Sequence, residues 1–118
     1  MSQVQLDAIY KVKNENVAEF EALAVESVNI VRDKDTRTLT YDFFVTRGET
    51  ETVYVAREIY KNLDGLKESI QNLGELLPRV FAFSEFKIII YGEATKEMLE
   101  FVKASNFEFY AHHLGLDS

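Results

Sequence analysis

The 118-residue chain has no cysteine and no tryptophan, a single proline and two histidines. Without cysteine there is no disulfide framework, no thiolate nucleophile and no cysteine-ligated metal, and the redox compartment cannot be read from thiols. Positive charge is scarce: 13 Lys and Arg against 20 Asp and Glu leave a formal net charge of −7. Nucleic-acid binding draws most of its affinity from cations that neutralise phosphates, so this balance disfavours a polyanion, and it equally disfavours an anionic membrane surface. No apolar run approaches the ~20 residues needed to span a bilayer. The opening "MSQVQLDAIY" lacks the basic region, apolar stretch and small-residue cleavage site of a secretory signal, so a cytoplasmic location is expected. The glycine-containing stretches "RGETE" and "LGELL" do not form a phosphate-binding loop, and no nucleophile-elbow or Ser-His-Asp motif is present.

What is there suits one globular domain spanning residues 1–118, with 47% hydrophobic residues, nine Phe and six Tyr to build a core. Val4, Leu6, Ala8, Tyr10 and Val12 alternate with more polar neighbours, the period of a half-buried strand. Val17, Phe20, Leu23, Ala24, Ser27 and Val31 follow at helical spacing, with Asn16 three residues before Glu19 as a capping-box signal. Residues 38–46 and 51–60 are rich in Thr, Val, Tyr and Phe and flank a glycine turn, the pattern of an antiparallel hairpin. Leu63, Leu66, Ile70 and Leu73 make a second helical stripe that Gly74 can end, and Pro78 fits the first turn of a further short helix. "FKIIIYG" reads as a buried strand, "TKEMLEFVKAS" as a helix opened by Thr95, and "FEFYAHHLGL" as a last strand. The order β-α-β-β-α-β-α-β contains the ferredoxin-like βαββαβ core of an α+β protein, extended by a C-terminal helix and strand.

A two-residue loop at Gly48-Glu49 places Tyr41 opposite Ala56, Phe43 opposite Tyr54 and Leu39 opposite Glu58. One face of the hairpin then holds Leu39, Tyr41, Phe43, Val45, Tyr54, Ala56, Glu58 and Tyr60, and is expected to lie under the helices. The other holds Phe44, Val53, Val55 and Ile59, with Asp42 and Arg57 as diagonal neighbours able to pair. An uncovered apolar face of this kind marks an interaction surface, and sheet-to-sheet homodimerisation is expected through it.

These segments together resemble the antibiotic biosynthesis monooxygenase superfamily, the dimeric α+β barrel proteins. The likeness runs through "YKV" ending the first strand, "FEAL", "TLTYDFF", "REIY", the helix over residues 62–70 and "IIIYGE". It implies two ferredoxin-like subunits pressing their sheets into a barrel, each keeping a pocket between sheet and helices. It also implies oxygenation of phenols or quinols without metal or organic cofactor, or one of the family's other reactions on small molecules. Many members carry a His in an "ALxxH"-like stretch of the second helix, where this chain has Ser69. The Asn, Trp and His set of the haem-degrading members is not matched, which argues against haem degradation.

Cofactor-free oxygenation needs a base to take a proton from an electron-rich substrate, and donors that hold the developing oxyanion in a dry pocket. Glu58 is the candidate base, with Tyr41 and His112 as further catalytic candidates and Tyr54, Tyr60 and Phe43 as substrate-binding residues. The competing view is that the tyrosines are core residues with satisfied hydroxyls, and that Glu58 reaches water at a strand end. Arg57 can bind an anion or serve in an ion pair with Asp42. His112 and His113 are expected on opposite faces of the last strand, where they diverge and cannot chelate one ion, so no metal site is expected. Two readings remain open: a cofactor-independent monooxygenase-like enzyme acting on a small phenol or quinol, and a non-catalytic dimeric barrel that binds a small apolar ligand or a partner.

Overall fold

The structure, a computed structural model, describes residues 2–116. Its central strand is β1 (Val4–Lys13), antiparallel to β3 (Glu51–Tyr60) on one side and to β4 (Glu85–Gly92) on the other. β2 (Thr38–Arg47) flanks β3, and β5 (Glu108–Ala111) runs parallel to β4, giving the sheet order β2-β3-β1-β4-β5. The helices are α1 (Val17–Lys34), α2 (Leu63–Leu73), α3 (Leu76–Ala82) and α4 (Lys96–Ser105). The class is α+β, a ferredoxin-like βαββαβ core with α4 and β5 appended.

Strand alternation decides which side is covered. The even-numbered residues of β1 and β3, from Val4 to Val12 and from Thr52 to Tyr60, are all buried, and all but Thr52 and Glu58 join Phe20, Leu23 and Val31 of α1 and Leu66 and Leu73 of α2 in one core cluster. Helix ends follow their local chemistry. Asn62 Oδ1 accepts from the Gly65 amide at 2.9 Å, and Thr95 Oγ1 accepts from the Met98 amide at 3.1 Å. Gly74 ends α2 at φ +51, and Pro78 sits in the first turn of α3, where its missing amide costs little.

Several expectations need correction. Asn16 makes no side-chain cap, because the chain enters α1 through a 3-10 turn over Asn14–Asn16. Asn14 instead clasps the hairpin, donating to the Gly48 and Glu49 carbonyls at 3.0 Å each and accepting from Thr52 Oγ1 at 2.8 Å. The hairpin register is two residues away from the expected one: Tyr41 faces Glu58, Phe43 faces Ala56 and Val45 faces Tyr54. A slip of two preserves both faces, since side chains alternate with period two. A bulge between Thr38 and Thr40 turns Leu39 out, so it is 47% exposed and does not lie under the helices. Val45, near the hairpin turn at the end of β2, is also exposed.

The uncovered face carries Ile9, Phe44, Val53, Val55, Ile59 and Ile89, with Phe44 at 55% exposure. Arg57 lies in register between Asp42 and Asp7, and its Nε pairs with Asp7 Oδ1 at 3.3 Å; the expected Asp42 pair is not formed. Among the described residues no helix is long and apolar enough to cross a membrane.

Candidate active site

Between the sheet and the helices lies a cavity of about 310 Å³. Its floor is Leu6, Ala8, Tyr10, Tyr41, Glu58, Tyr60 and Ile88; α2 contributes Leu66, Ser69, Ile70 and Leu73, and Leu77, Phe81, Phe101, Ser105 and Phe107 complete the wall. Volume and lining match the usual small-molecule site, mostly apolar with a few convergent polar groups.

Glu58 reaches this floor because it alternates with Ala56 and Tyr60 on the covered side of β3, where it is 8% exposed. The Tyr60 hydroxyl donates to Glu58 Oε1. Burial pushes the Glu58 carboxyl up to about 7; the Tyr60 hydrogen bond works against that, and the negative charges of Asp35 and Asp7 add to it. The neighbouring phenols respond in kind. Tyr60, Tyr41 and Tyr10 are all driven above the ordinary tyrosine range, first by burial and then by the Glu58 charge. Asp35 is itself anchored, accepting from Thr38 Oγ1 at 2.6 Å and from Asn72 Nδ2 at 2.8 Å, so its field at Glu58 is held in place.

Ser69 is the unusual member. It lies on the buried stripe of α2 with Leu66 and Leu73, is 1% exposed, and its Oγ has no hydrogen-bond partner. It is still near enough to Tyr60 to oppose the rise in that phenol's pKa. A buried hydroxyl without a partner costs the fold roughly 1–3 kcal/mol.

The chemistry available here is proton transfer. A carboxyl that titrates near neutral pH in an apolar cavity can take a proton from a bound acid and return it later, and the surrounding phenols can donate to an anion formed beside it. Among the described residues no group of three or more His, Asp or Glu is placed to hold a metal ion.

The structure thus brings Glu58, Tyr41 and Tyr60 together and separates the other three candidates. Phe20 of α1 wedges between Tyr10 and Tyr54, with ring centroids 5.2 and 4.7 Å away. Tyr54 and Phe43 line a second recess of about 300 Å³ along α1. There Tyr54 is already committed: its hydroxyl donates to Glu21 Oε2 at 2.5 Å, and Arg47 donates to the same oxygen at 3.0 Å. Burial and that carboxylate raise the Tyr54 phenol to about 12. His112 and His113 do not flank the last strand, because β5 stops at Ala111, level with the end of β4 at Gly92. Both are exposed and line a groove with Tyr91 and Tyr110, away from Glu58. Tyr10 was legible as part of the cavity from its place in the β1 alternation, whereas Ser105 carried no signal of its own.

Fold and cavity together define a ferredoxin-like α+β protein with a buried carboxyl facing an apolar cavity. No family model matches the sequence, and no match is found among curated proteins. Solved structures do match. MupZ from Pseudomonas fluorescens superposes with a TM-score of 0.79 at 14% identity, covering 97% of this chain and 93% of its own. A protein described as an antibiotic biosynthesis monooxygenase gives 0.61 at 20% identity, covering 74% and 94%. SnoaB, a cofactor-independent oxygenase from Streptomyces nogalater, gives 0.59 at 14%, covering 80% and 95%. At these identities the likeness is one of fold, the α+β fold that this chain shares with these solved structures.

Proposed function

We propose that the chain is a cofactor-independent monooxygenase-like enzyme acting on a small phenol or quinol, with Glu58 as its base. The observation that carries this reading is the Glu58 carboxyl, buried, hydrogen-bonded by Tyr60 and facing an otherwise apolar cavity. Glu58 takes the acidic proton of the substrate. The resulting anion passes one electron to dioxygen, and the two radicals combine at a ring carbon bearing hydrogen to form a peroxide. Glu58 returns its proton to the peroxide, which loses water to leave a carbonyl: one oxygen atom stays on carbon, the other leaves as water, and the four electrons that dioxygen gains come from the substrate ring. Tyr41 donates to the substrate oxyanion, while Tyr60 keeps its proton on Glu58. The similarity to SnoaB, itself an oxygenase of this cofactor-free kind, supports the choice of reaction.

The open sheet face serves in this account as a homodimer interface, because Phe44, Val53, Val55 and Ile59 form a contiguous apolar surface that no helix covers. Oxygen consumption with a panel of phenols and naphthoquinols tests the activity. Turnover by the wild type and its loss in Glu58→Gln support it; aromatic binding with no oxygen uptake from any substrate leaves a binding protein instead.

A further inference from the structure

Resting on the reading of the Glu58 cavity as a substrate site, the inference concerns what that substrate must carry. Two atoms stand out as buried side-chain polar atoms without a hydrogen bond among the described residues: Asp7 Oδ1 and Ser69 Oγ. Asp7 Oδ1 is matched by the Arg57 guanidinium on the far face of the sheet. Ser69 Oγ has no such partner, and it lines the cavity from α2. Helical serines commonly spend their proton on a backbone carbonyl one turn back, as Ser27 of α1 does on Ala24, but Ser69 does not.

The proton inventory at this end of the cavity decides the ligand chemistry. The Tyr60 proton is already given to Glu58, and Glu58 as a base accepts. The Ser69 hydroxyl therefore offers a donor that makes no hydrogen bond of normal length, close beside the same Tyr60 phenol. A plain phenol has a single oxygen, which must meet both Glu58 and the phenol donors around it, so a second oxygen beside it would give Ser69 an acceptor of its own. A carbonyl next to the acidic hydroxyl supplies the missing acceptor.

We infer that Ser69 is a specificity-determining residue that donates to a carbonyl oxygen adjacent to the hydroxyl deprotonated by Glu58, so the preferred ligands are hydroxy-carbonyl aromatics. The cavity also limits their size. An apolar cavity of ~150 Å³ takes one benzene ring, so about 310 Å³ suits a two-ring system.

The test is calorimetric binding of a matched pair: a naphthol with an acetyl group ortho to its hydroxyl, and the naphthol with an ethyl group in the same place. Wild-type protein should favour the acetyl compound by roughly tenfold, the worth of one well-made hydrogen bond in a dry site. Ser69→Ala should abolish that preference by weakening acetyl binding alone. The ligand-free variant should also melt at a higher temperature, since alanine favours the helix and removes the unpartnered hydroxyl. A serine with a merely structural role would show the reverse, a lower melting temperature with the preference retained, and that result overturns the inference. If both compounds bind and Ser69→Ala weakens them equally, the inference fails while the cavity stands as a ligand site. If neither binds at millimolar concentration, the cavity reading falls, and this one with it.

Discussion

Replacing Glu58 with Gln isolates the energetic cost of the buried carboxylate. In the unfolded chain the group titrates near 4.5, and in the fold near 7. Between those values the folded state keeps a proton that the unfolded state has released, so the folded-state advantage falls as pH rises through the window. Below about pH 4.5 both states are protonated and the penalty vanishes; above about pH 7 it is complete. The gap between the two values, at ~1.4 kcal/mol per pH unit, makes the full penalty about 3–4 kcal/mol. Gln keeps the acceptor for Tyr60 and carries no charge at any pH. Its extra amide hydrogens shift the variant's stability by a constant amount, which cancels when the wild-type-to-variant difference is compared between two pH values. Urea unfolding followed by circular dichroism at about pH 4.5 and pH 8 should therefore show Glu58→Gln gaining about 2–3 kcal/mol on the wild type across the interval, as a midpoint shift at constant slope. A difference that does not change with pH would refute the reasoning, because it would mean Glu58 ionises in the fold as freely as in the unfolded chain.

Asn14→Ala removes the clasp on the hairpin turn and leaves the buried Thr52 hydroxyl unmatched, so stability should fall by roughly 1–2 kcal/mol, with faster amide exchange across residues 48–51. Gly65→Ala would gain helix propensity, yet its new Cβ would sit 2.9 Å from Arg37 Cβ and 3.2 Å from the Arg37 carbonyl oxygen. The clash should outweigh the gain and destabilise by about 1–3 kcal/mol in thermal melts. Phe44→Lys on the open face should convert a sedimenting dimer to the 13.6 kDa monomer without altering the circular dichroism spectrum; a wild type that is already monomeric at micromolar concentration removes the interface.

Much of the site was legible because strand faces depend on parity alone. Misplacing the hairpin partners by two residues still left Tyr41, Glu58 and Tyr60 on the covered side, where the cavity holds them. What the sequence could not show depends on contacts between distant segments. The Arg57 partner is Asp7 because β1 lies beside β3, a pairing that no local pattern encodes. Tyr54 shares a face with Glu58 but not a cavity, because Phe20 reaches down from α1 between it and Tyr10, and Phe43, its ring 5.8 Å from that of Tyr41, lines the recess along α1 instead. His112 misled because a run of aromatic residues suggests a longer strand than β4 can pair, and pairing ends at Gly92 and Ala111. Ser69 was visible only as a departure from the "ALxxH"-like pattern. That it lacks a partner is a fact of tertiary packing.

The account's central claim is that a carboxyl in the cavity is poised to exchange a proton with a bound molecule near neutral pH. Carbon-13 NMR of side-chain-labelled glutamate measures this directly, with the Glu58 carboxyl signal assigned by its loss in Glu58→Gln. The predicted result is a titration midpoint close to 7 in the free protein that moves when a naphthol is added. A midpoint in the ordinary glutamate range near 4.5, unmoved by any aromatic ligand, would contradict it.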